Sequence, residues 1–425
     1  MPYTLEEAPP ELLTDDLDSG EVGSNRWTLN FGPQHPATHT TLRLVLELDG
    51  ERVVHCTPHI GYLHSGFEKL GEHLNYNQYV TIVDRMDYSA PIYNELAWHG
   101  SVEKLMGVDL TPRCKVLRTL AGELGRIQSH LLCVGAAGLD LGALTSFLYG
   151  FNQREYIYDI VEYMTGQRFH TGWTRVGGLN QDLPDQDVFV RMVKKFVNES
   201  LPDAISDVEK LLNRNRIFVE RTRGIGVISP EEAVAWSMSG PMARASGVKR
   251  DIRKAEPYLC FQDNWDDQGA EAPEFKVPVM EEGDVYARFF VRVEEMKQSM
   301  HIIRQLIDKI PDGPVNVSPE GKETLPPKGE VYSSIEGLIQ HFEIIMTNRG
   351  FTAPKGEAYA PIESGNGELG YYIVSDGTNV PWRVRTRPPI FINYQTFPKL
   401  IEGHTISDIV AVLGSINVIA AELDR

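Results

Sequence analysis

The stretch FGPQHPATHT (31–40) sets His35 and His39 four residues apart. Two imidazoles at that spacing share one face of a helix and can hold zinc, as in H-E-x-x-H. Here Pro36 follows His35 directly and disfavours helical geometry, so the two rings need not converge. His55, His59 and His64 follow without a fixed ligand spacing, which leaves metal ligation with little support. Two other polar groups stand in unusual places: Tyr88 closes DRMDY (84–88), and Asp140 interrupts the apolar run LLCVGAAGLDLGALTSFLYGF (131–151). Each alone suits a structural hydrogen bond. Together with His39 they suit one task, hydrogen-bonding both ends of a neutral, proton-accepting ligand in an apolar cavity. A quinone is such a ligand, because its carbonyls accept hydrogen bonds and its two-electron reduction takes up two protons. A tyrosine O–H and a histidine N–H can provide both, while a carboxylate orients and charges the imidazole. Spacing alone does not bring the three together.

Self-contained catalytic signatures are missing. There is no G-x-x-x-x-G-K-[ST] phosphate loop and no G-x-S-x-G nucleophile elbow. GNGELG (365–370) matches G-x-G-x-x-G in letters, yet it falls in an expected hairpin turn rather than opening a helix, so a dinucleotide fold is rejected. The balance of 59 acidic against 41 basic residues, a net charge of −18, repels phosphate backbones and argues against nucleic-acid binding. Cys56, Cys114, Cys133 and Cys260 lie far apart with no C-x-x-C pair, which is neither a disulfide framework nor a metal-ligand set.

The elements that must position these residues read as an α+β chain. Residues 1–25 read as a flexible acidic tail, with no basic residue and no apolar core of a signal peptide. In 26–65, Leu42, Leu44, Leu46 and Leu48 alternate up to Asp49-Gly50, the signal of a hairpin in a small antiparallel N-terminal sheet. Residues 66–330 take a helical period and read as a long central helical bundle. Helices are expected at 66–84, 91–106, 150–165, 186–214 and 284–310, with Leu117, Leu120, Leu124, Ile127 and Leu131 on one further helix face. Residues 262–283 read as a loop and 311–330 as a linker. Residues 331–425 read as a C-terminal α/β portion: a hairpin turning at Asn366-Gly367, a strand on which Arg383, Arg385 and Arg387 alternate, and a final apolar helix over 407–425. The alternating arginines suit a solvated edge strand. The apolar run 131–151 is nominally long enough to cross a bilayer, but four glycines weaken it, and it reads as a buried segment with Asp140 in need of a partner.

GPQHPATHT, GYLHSGFEK (61–69), DRMDYSAPIYNELA (84–97), GLDLGALTSF (138–147), TGQRFHTGWTRVGG (165–178), ASGVKRDIRKAEPY (245–258), APKGEAYAP (353–361), GELGYYIVSDG (367–377) and the terminal LDR keep one order along the chain. Together they resemble the quinone-site core subunit family of respiratory complex I (proton-pumping NADH:quinone oxidoreductase). The resemblance implies a fold like the large subunit of nickel–iron hydrogenases, which hold their metal with R-x-C-G-x-C and D-P-C-x-x-C. Here those stretches read Arg85-Met86-Asp87-Tyr88-Ser89-Ala90 and Asn417-Val418-Ile419-Ala420-Ala421-Glu422, without cysteine, so thiolate ligation of a metal of its own is lost. Asn417 stands where relatives usually carry aspartate and Thr40 where glycine is usual. By the resemblance, Tyr88 and His39 are the head-group donors, with Asp140 paired to His39. Arg85 and His170 lie beside a tetranuclear iron–sulfur cluster carried by a neighbouring subunit. NADH and flavin bind elsewhere in the complex. The implied partners are that iron–sulfur subunit, other peripheral-arm subunits and a membrane-arm subunit where the quinone enters. The implied place is the cytoplasmic face of the bacterial inner membrane, peripheral and without a transmembrane helix. A different reading is a non-catalytic scaffold of a membrane-bound hydrogenase-type complex. An active nickel–iron hydrogenase is disfavoured by the missing cysteines.

Overall fold

A computed structural model describes residues 26–35, 37, 41–213, 215–266, 268–317, 325–326, 328–346 and 351–425. The expected acidic tail, His39, Thr40 and residues 318–324 of the expected linker lie outside the described residues.

The alternating leucines form the middle strand of a three-stranded antiparallel sheet, Arg26–Phe31, Arg43–Asp49 and Arg52–His59. Leu42, Leu44, Leu46 and Leu48 all point inward, against Ile390, Phe397, Leu400, Ile409 and Val412 from the end of the chain. The turn sits one residue later than the Asp-Gly pair suggests. Asp49 pairs with Arg52, so Gly50 and Glu51 form the loop, and Gly50 takes the φ of 61° that a two-residue hairpin requires of its first residue. Backbone bonds from Val53 N to the His404 carbonyl (2.9 Å) and from Gly403 N to the Val53 carbonyl (2.8 Å) tie the two ends of the chain together.

The central scaffold is the Pro112–Asp140 helix, started by Pro112 and capped by the Thr111 hydroxyl on Cys114 N. It packs against Leu144–Thr165 on one side and Val285–Leu306 on the other. The apolar run 131–151 is thereby cut in two, because Gly142 at φ 89° reverses the chain. The two helices then fold closely on each other; a Cβ on Gly150 would sit 3.1 Å from the Leu131 carbonyl oxygen. Glycines that weaken an isolated helix here admit a neighbouring backbone. The run is not wholly buried as read from sequence, since Leu139, Leu144, Leu148 and Tyr149 are exposed. No helix among the described residues is long and apolar enough to cross a membrane.

Two other expectations change. The segment 66–84 holds two short helices, Phe67–Leu70 and Val80–Val83, separated by turns. The final apolar run is two helices, Ile406–Ile416 and Ala420–Asp424, because Asn417 adopts φ 59°, a left-handed conformation that asparagine tolerates better than most residues. The C-terminal sheet is a hairpin, Gly356–Ser364 and Gly367–Ser375, extended by Arg383–Arg387. The alternating arginines of that last strand are paired within the chain, Arg383 to Glu72 (2.8 Å), Arg385 to Glu68 (3.1 Å) and Arg387 to Glu368 (3.4 Å). Farther out, Ile335, Leu338, Ile339, Phe342 and Ile345 stand exposed along the Ile335–Ile345 helix.

Helices, loops and hairpin meet at a buried ionic network. Glu295 accepts from His130 Nε2 and from Arg244 Nε, each at 2.8 Å, and Arg244 Nη1 reaches Glu363 at 2.7 Å. Arg253 bonds Asp251 (2.7 Å) and Glu123 (3.1 Å), Ser299 donates to Glu123 (2.6 Å), and Arg126 donates to the Ser364 and Glu363 carbonyls. Every one of these side chains is buried. Removing one member leaves its partner charged in a water-free site, which costs far more than the intact network contributes. Arg244→Met is therefore expected to destabilise the fold by ~3–5 kcal/mol, seen as a lowered thermal midpoint. Ser299→Ala, which removes one neutral donor, should lower that midpoint much less.

Candidate functional site

The segment Asp84–Ala90 bridges the short Val80–Val83 helix and the Pro91–Met106 helix. Its shape follows from Asp87, whose Oδ1 accepts from Ser89 N (2.9 Å) and Ser89 Oγ (2.6 Å), closing an Asx turn. Gln128 Nε2 holds the Ser89 carbonyl at 2.9 Å, and Ser129 Oγ lies 3.0 Å from Ser89 Oγ, so the central helix clamps the loop from below. The hairpin turn reaches it from the other side. Asn366 Nδ2 donates to Asp87 Oδ2 at 3.4 Å, and Asn417 Nδ2 donates to Asn366 Oδ1 at 2.7 Å. Two stretches from opposite ends of the chain, DRMDYSA and NVIAAE, thus converge on one point.

That point holds carboxylates and amides. Burial, followed by the charge of Asp87, pushes Glu422 well above the usual carboxylate range. Burial also raises Asp87, against the pull of its Ser89 donors. Glu422 Oε1 accepts from Ile390 N (3.1 Å), while its Oε2 meets no donor among the described residues. All four cysteines are buried and unpaired, and among the described residues no group of three or more His, Cys, Asp or Glu is placed to hold a metal ion.

Tyr88 is half-buried, and the Ala420 N–H reaches its phenol oxygen. Burial first, then Asp87, raises its pKa, so the O–H stays protonated and can donate. It packs against the apolar cluster that also receives Ala37, from the loop leading to His39, and Leu141, the neighbour of Asp140. Asp140 ends the central helix, with its Oδ2 against Gly414; a Cβ there would lie 3.3 Å away. No side chain among the described residues hydrogen-bonds it, and burial pushes its carboxyl up to about 6. The negative end of the helix dipole acts in the same direction. His39, its expected partner, lies outside the described residues. His35 is engaged locally: its Nδ1 accepts from Ala37 N at 3.1 Å and its ring lies 4.3 Å from that of Phe31.

Arg85 and His170 come together from distant parts of the sequence. Arg85 is exposed and donates to the Thr81 carbonyl, on the outer side of the same loop that carries Tyr88. His170 lies beside the Asp84 backbone carbonyl, and its Nδ1 has no hydrogen-bond partner among the described residues. Burial, then the Arg85 charge, lowers its pKa and keeps it neutral at neutral pH. Sequence reasoning missed Asp84, Glu95, Asn366 and Glu422 at this site. Asp84 stood inside DRMDY, but nothing in one sequence marks which acids are buried.

Residues 140–425 match the family described as respiratory-chain NADH dehydrogenase, 49 Kd subunit. The NADH-quinone oxidoreductase D subunit of Akkermansia muciniphila is 47% identical over 398 residues, 94% of this chain and 92% of that one. The protein of the same name from Geotalea uraniireducens is 46% identical over 94% of this chain and 98% of its own length. That of Thermus thermophilus is 45% identical over 99% and 97%. With the family matching two thirds of the chain and these relatives nearly all of it, this protein belongs to the 49 kDa subunit family of respiratory-chain NADH dehydrogenase, an oxidoreductase complex.

Proposed function

We propose that this chain forms the quinone-reduction site of a proton-translocating NADH:quinone oxidoreductase. The observation that carries the reading is the convergence of the Tyr88 loop with the 417–422 segment, at a point furnished with a protonated phenol and buried acids rather than thiolates. The relatives named NADH-quinone oxidoreductase supply the substrate class. In this reading Tyr88 O–H hydrogen-bonds one quinone carbonyl and supplies one proton. His39 serves the other carbonyl and is oriented and charged by Asp140. An ionised Asp140 favours imidazolium, and its raised carboxyl returns to the neutral form when the medium becomes acidic. A phenol whose pKa burial raises keeps its proton until electron transfer has made the quinone oxygen basic, and the phenolate left behind is then reprotonated from the medium.

A tetranuclear iron–sulfur cluster in a partner subunit, when bound beside Arg85 and His170, supplies the electrons. The exposed guanidinium of Arg85 favours added negative charge there, and neutral His170 can take up a compensating proton. Partners then include that iron–sulfur subunit, other peripheral-arm subunits and a membrane-arm subunit where the quinone enters. The exposed apolar face of the Ile335–Ile345 helix suits a protein held in such an assembly. The chain would lie peripherally on the cytoplasmic face of the inner membrane.

Tyr88→Phe in the assembled complex should lower quinone reduction ~100-fold or more while NADH oxidation by an artificial electron acceptor is retained; normal quinone turnover would sink the assignment. The Asp140 carboxyl, raised to about 6, is ionised above that pH and protonated below it. Quinone reduction should therefore fall as pH drops through about 6, and Asp140→Asn should abolish that acid limb. An unchanged pH profile in Asp140→Asn removes Asp140 from the site.

A further inference from the structure

Behind the Arg85–His170 face lie two carboxylates that the reaction described above does not use. Asp84 follows the Val80–Val83 helix and is 1% exposed; Glu95, in the second turn of Pro91–Met106, is 0% exposed. Donors are divided unequally between them. Glu95 Oε1 accepts from the Thr171 hydroxyl, and Oε2 accepts from Thr174 N (2.7 Å) and Thr174 Oγ1 (3.1 Å). Asp84 Oδ2 accepts from Gly172 N at 2.8 Å. Asp84 Oδ1 meets no N–H or hydroxyl among the described residues, and the Asp84 and Glu95 carboxyl groups lie within hydrogen-bonding reach of each other, held by the same 171–174 segment.

Among the described residues no guanidinium hydrogen-bonds either carboxylate, although the Arg175 charge acts on both and the Arg85 charge on Asp84. Arg175 Nη1 is used on the Gly172 and Thr174 carbonyls, Arg118 is bidentate to Glu103 (2.9 and 2.8 Å), and Arg85 donates to the Thr81 carbonyl. Tyr371 also faces Asp84, and burial holds its phenol protonated. His99 Nδ1 sits 2.7 Å from Thr174 Oγ1, whose one hydrogen goes to Glu95, so Nδ1 is the donor. Its Nε2 is unpartnered, and burial keeps the ring neutral. Two ionised carboxylates in hydrogen-bonding contact, buried and with no cation bonded to either among the described residues, repel strongly.

The geometry points to Asp84 and Glu95 sharing a single proton, borne by Asp84 Oδ1 and donated to Glu95, so that the pair presents one negative charge beneath His170. Burial first and Glu95 second push Asp84 well above the usual carboxylate range, in the same direction. Both act as positioning residues. The Asp84 backbone carbonyl lies beside the His170 ring, and the single charge sets the electrostatic level at His170 and Arg85; this second role rests on those two residues facing the partner's cluster.

The test uses the assembled complex with Asp84→Asn and with Asp84→Asn/Glu95→Gln. Asparagine can keep a donor toward Glu95 and an acceptor toward Gly172, and it preserves the single negative charge. The infrared difference spectrum of Asp84→Asn against wild type at neutral pH should show loss of a protonated-carboxyl C=O band, one that shifts on deuteration in the wild type. The midpoint potential of the cluster should stay at the wild-type value in Asp84→Asn and rise in the double variant, where the charge is gone. Absence of such a band, or a midpoint already raised in Asp84→Asn, overturns the shared proton. Loss of the band with an unmoved midpoint in both variants overturns the electrostatic role and the cluster-facing placement of His170 and Arg85, leaving the shared proton standing.

Discussion

The structure depends on the burial of charge. Glu123, Asp251, Glu295 and Glu363 face Arg126, Arg244 and Arg253 at the junction of the Pro112–Asp140 and Val285–Leu306 helices with the C-terminal hairpin. Four carboxylates against three guanidiniums leave one acid undercompensated, and Glu363 is the one that burial pushes up. Such a network gains little net free energy over a well-packed apolar core, because desolvation consumes most of the Coulombic attraction. Its value is geometric. Its bonds tie the helices, the 244–253 loop and the hairpin together, and the Asn366 turn at the end of that hairpin bonds the Asp87 loop.

That fixed junction explains how a site can be assembled from segments at opposite ends of the chain. The N-terminal sheet buries its leucines on the terminal helices, which brings Ala420 and Glu422 beside Tyr88. A site held by thiolate–metal bonds would be fixed by those bonds. Here amide and carboxylate hydrogen bonds from Asp87, Asn366 and Asn417 hold the loop instead. The acids at the centre are pushed toward their neutral forms by burial.

Membership in an assembly is consistent with what the surface leaves open. Arg383, Arg385 and Arg387, which share one face of the last strand and read from sequence as a solvated edge, are paired with acids of the same chain. The Ile335–Ile345 helix instead presents an apolar face to the outside. Alternation of charge along a strand says which residues share a face; whether that face is already occupied is a tertiary question.

Local chemistry determined much of this protein from sequence alone. Period-two leucines before Asp49-Gly50 specify an inward-facing strand, the 3,4 spacing from Leu117 to Leu131 specifies a helix, and motif order specifies the family, because each of these is written in neighbouring residues. Local chemistry failed where a backbone exception or a distant contact decides. Asn417 at φ 59° breaks a run whose apolar period continues through it, and the glycines of 131–151 serve a neighbouring helix that the run itself does not reveal. The burial of Asp84 beside Glu95, and of Asp87 beside Glu422, was settled only in three dimensions. An acid's proton affinity is set by the water it loses and the charges brought to it, and neither is present until the chain has folded.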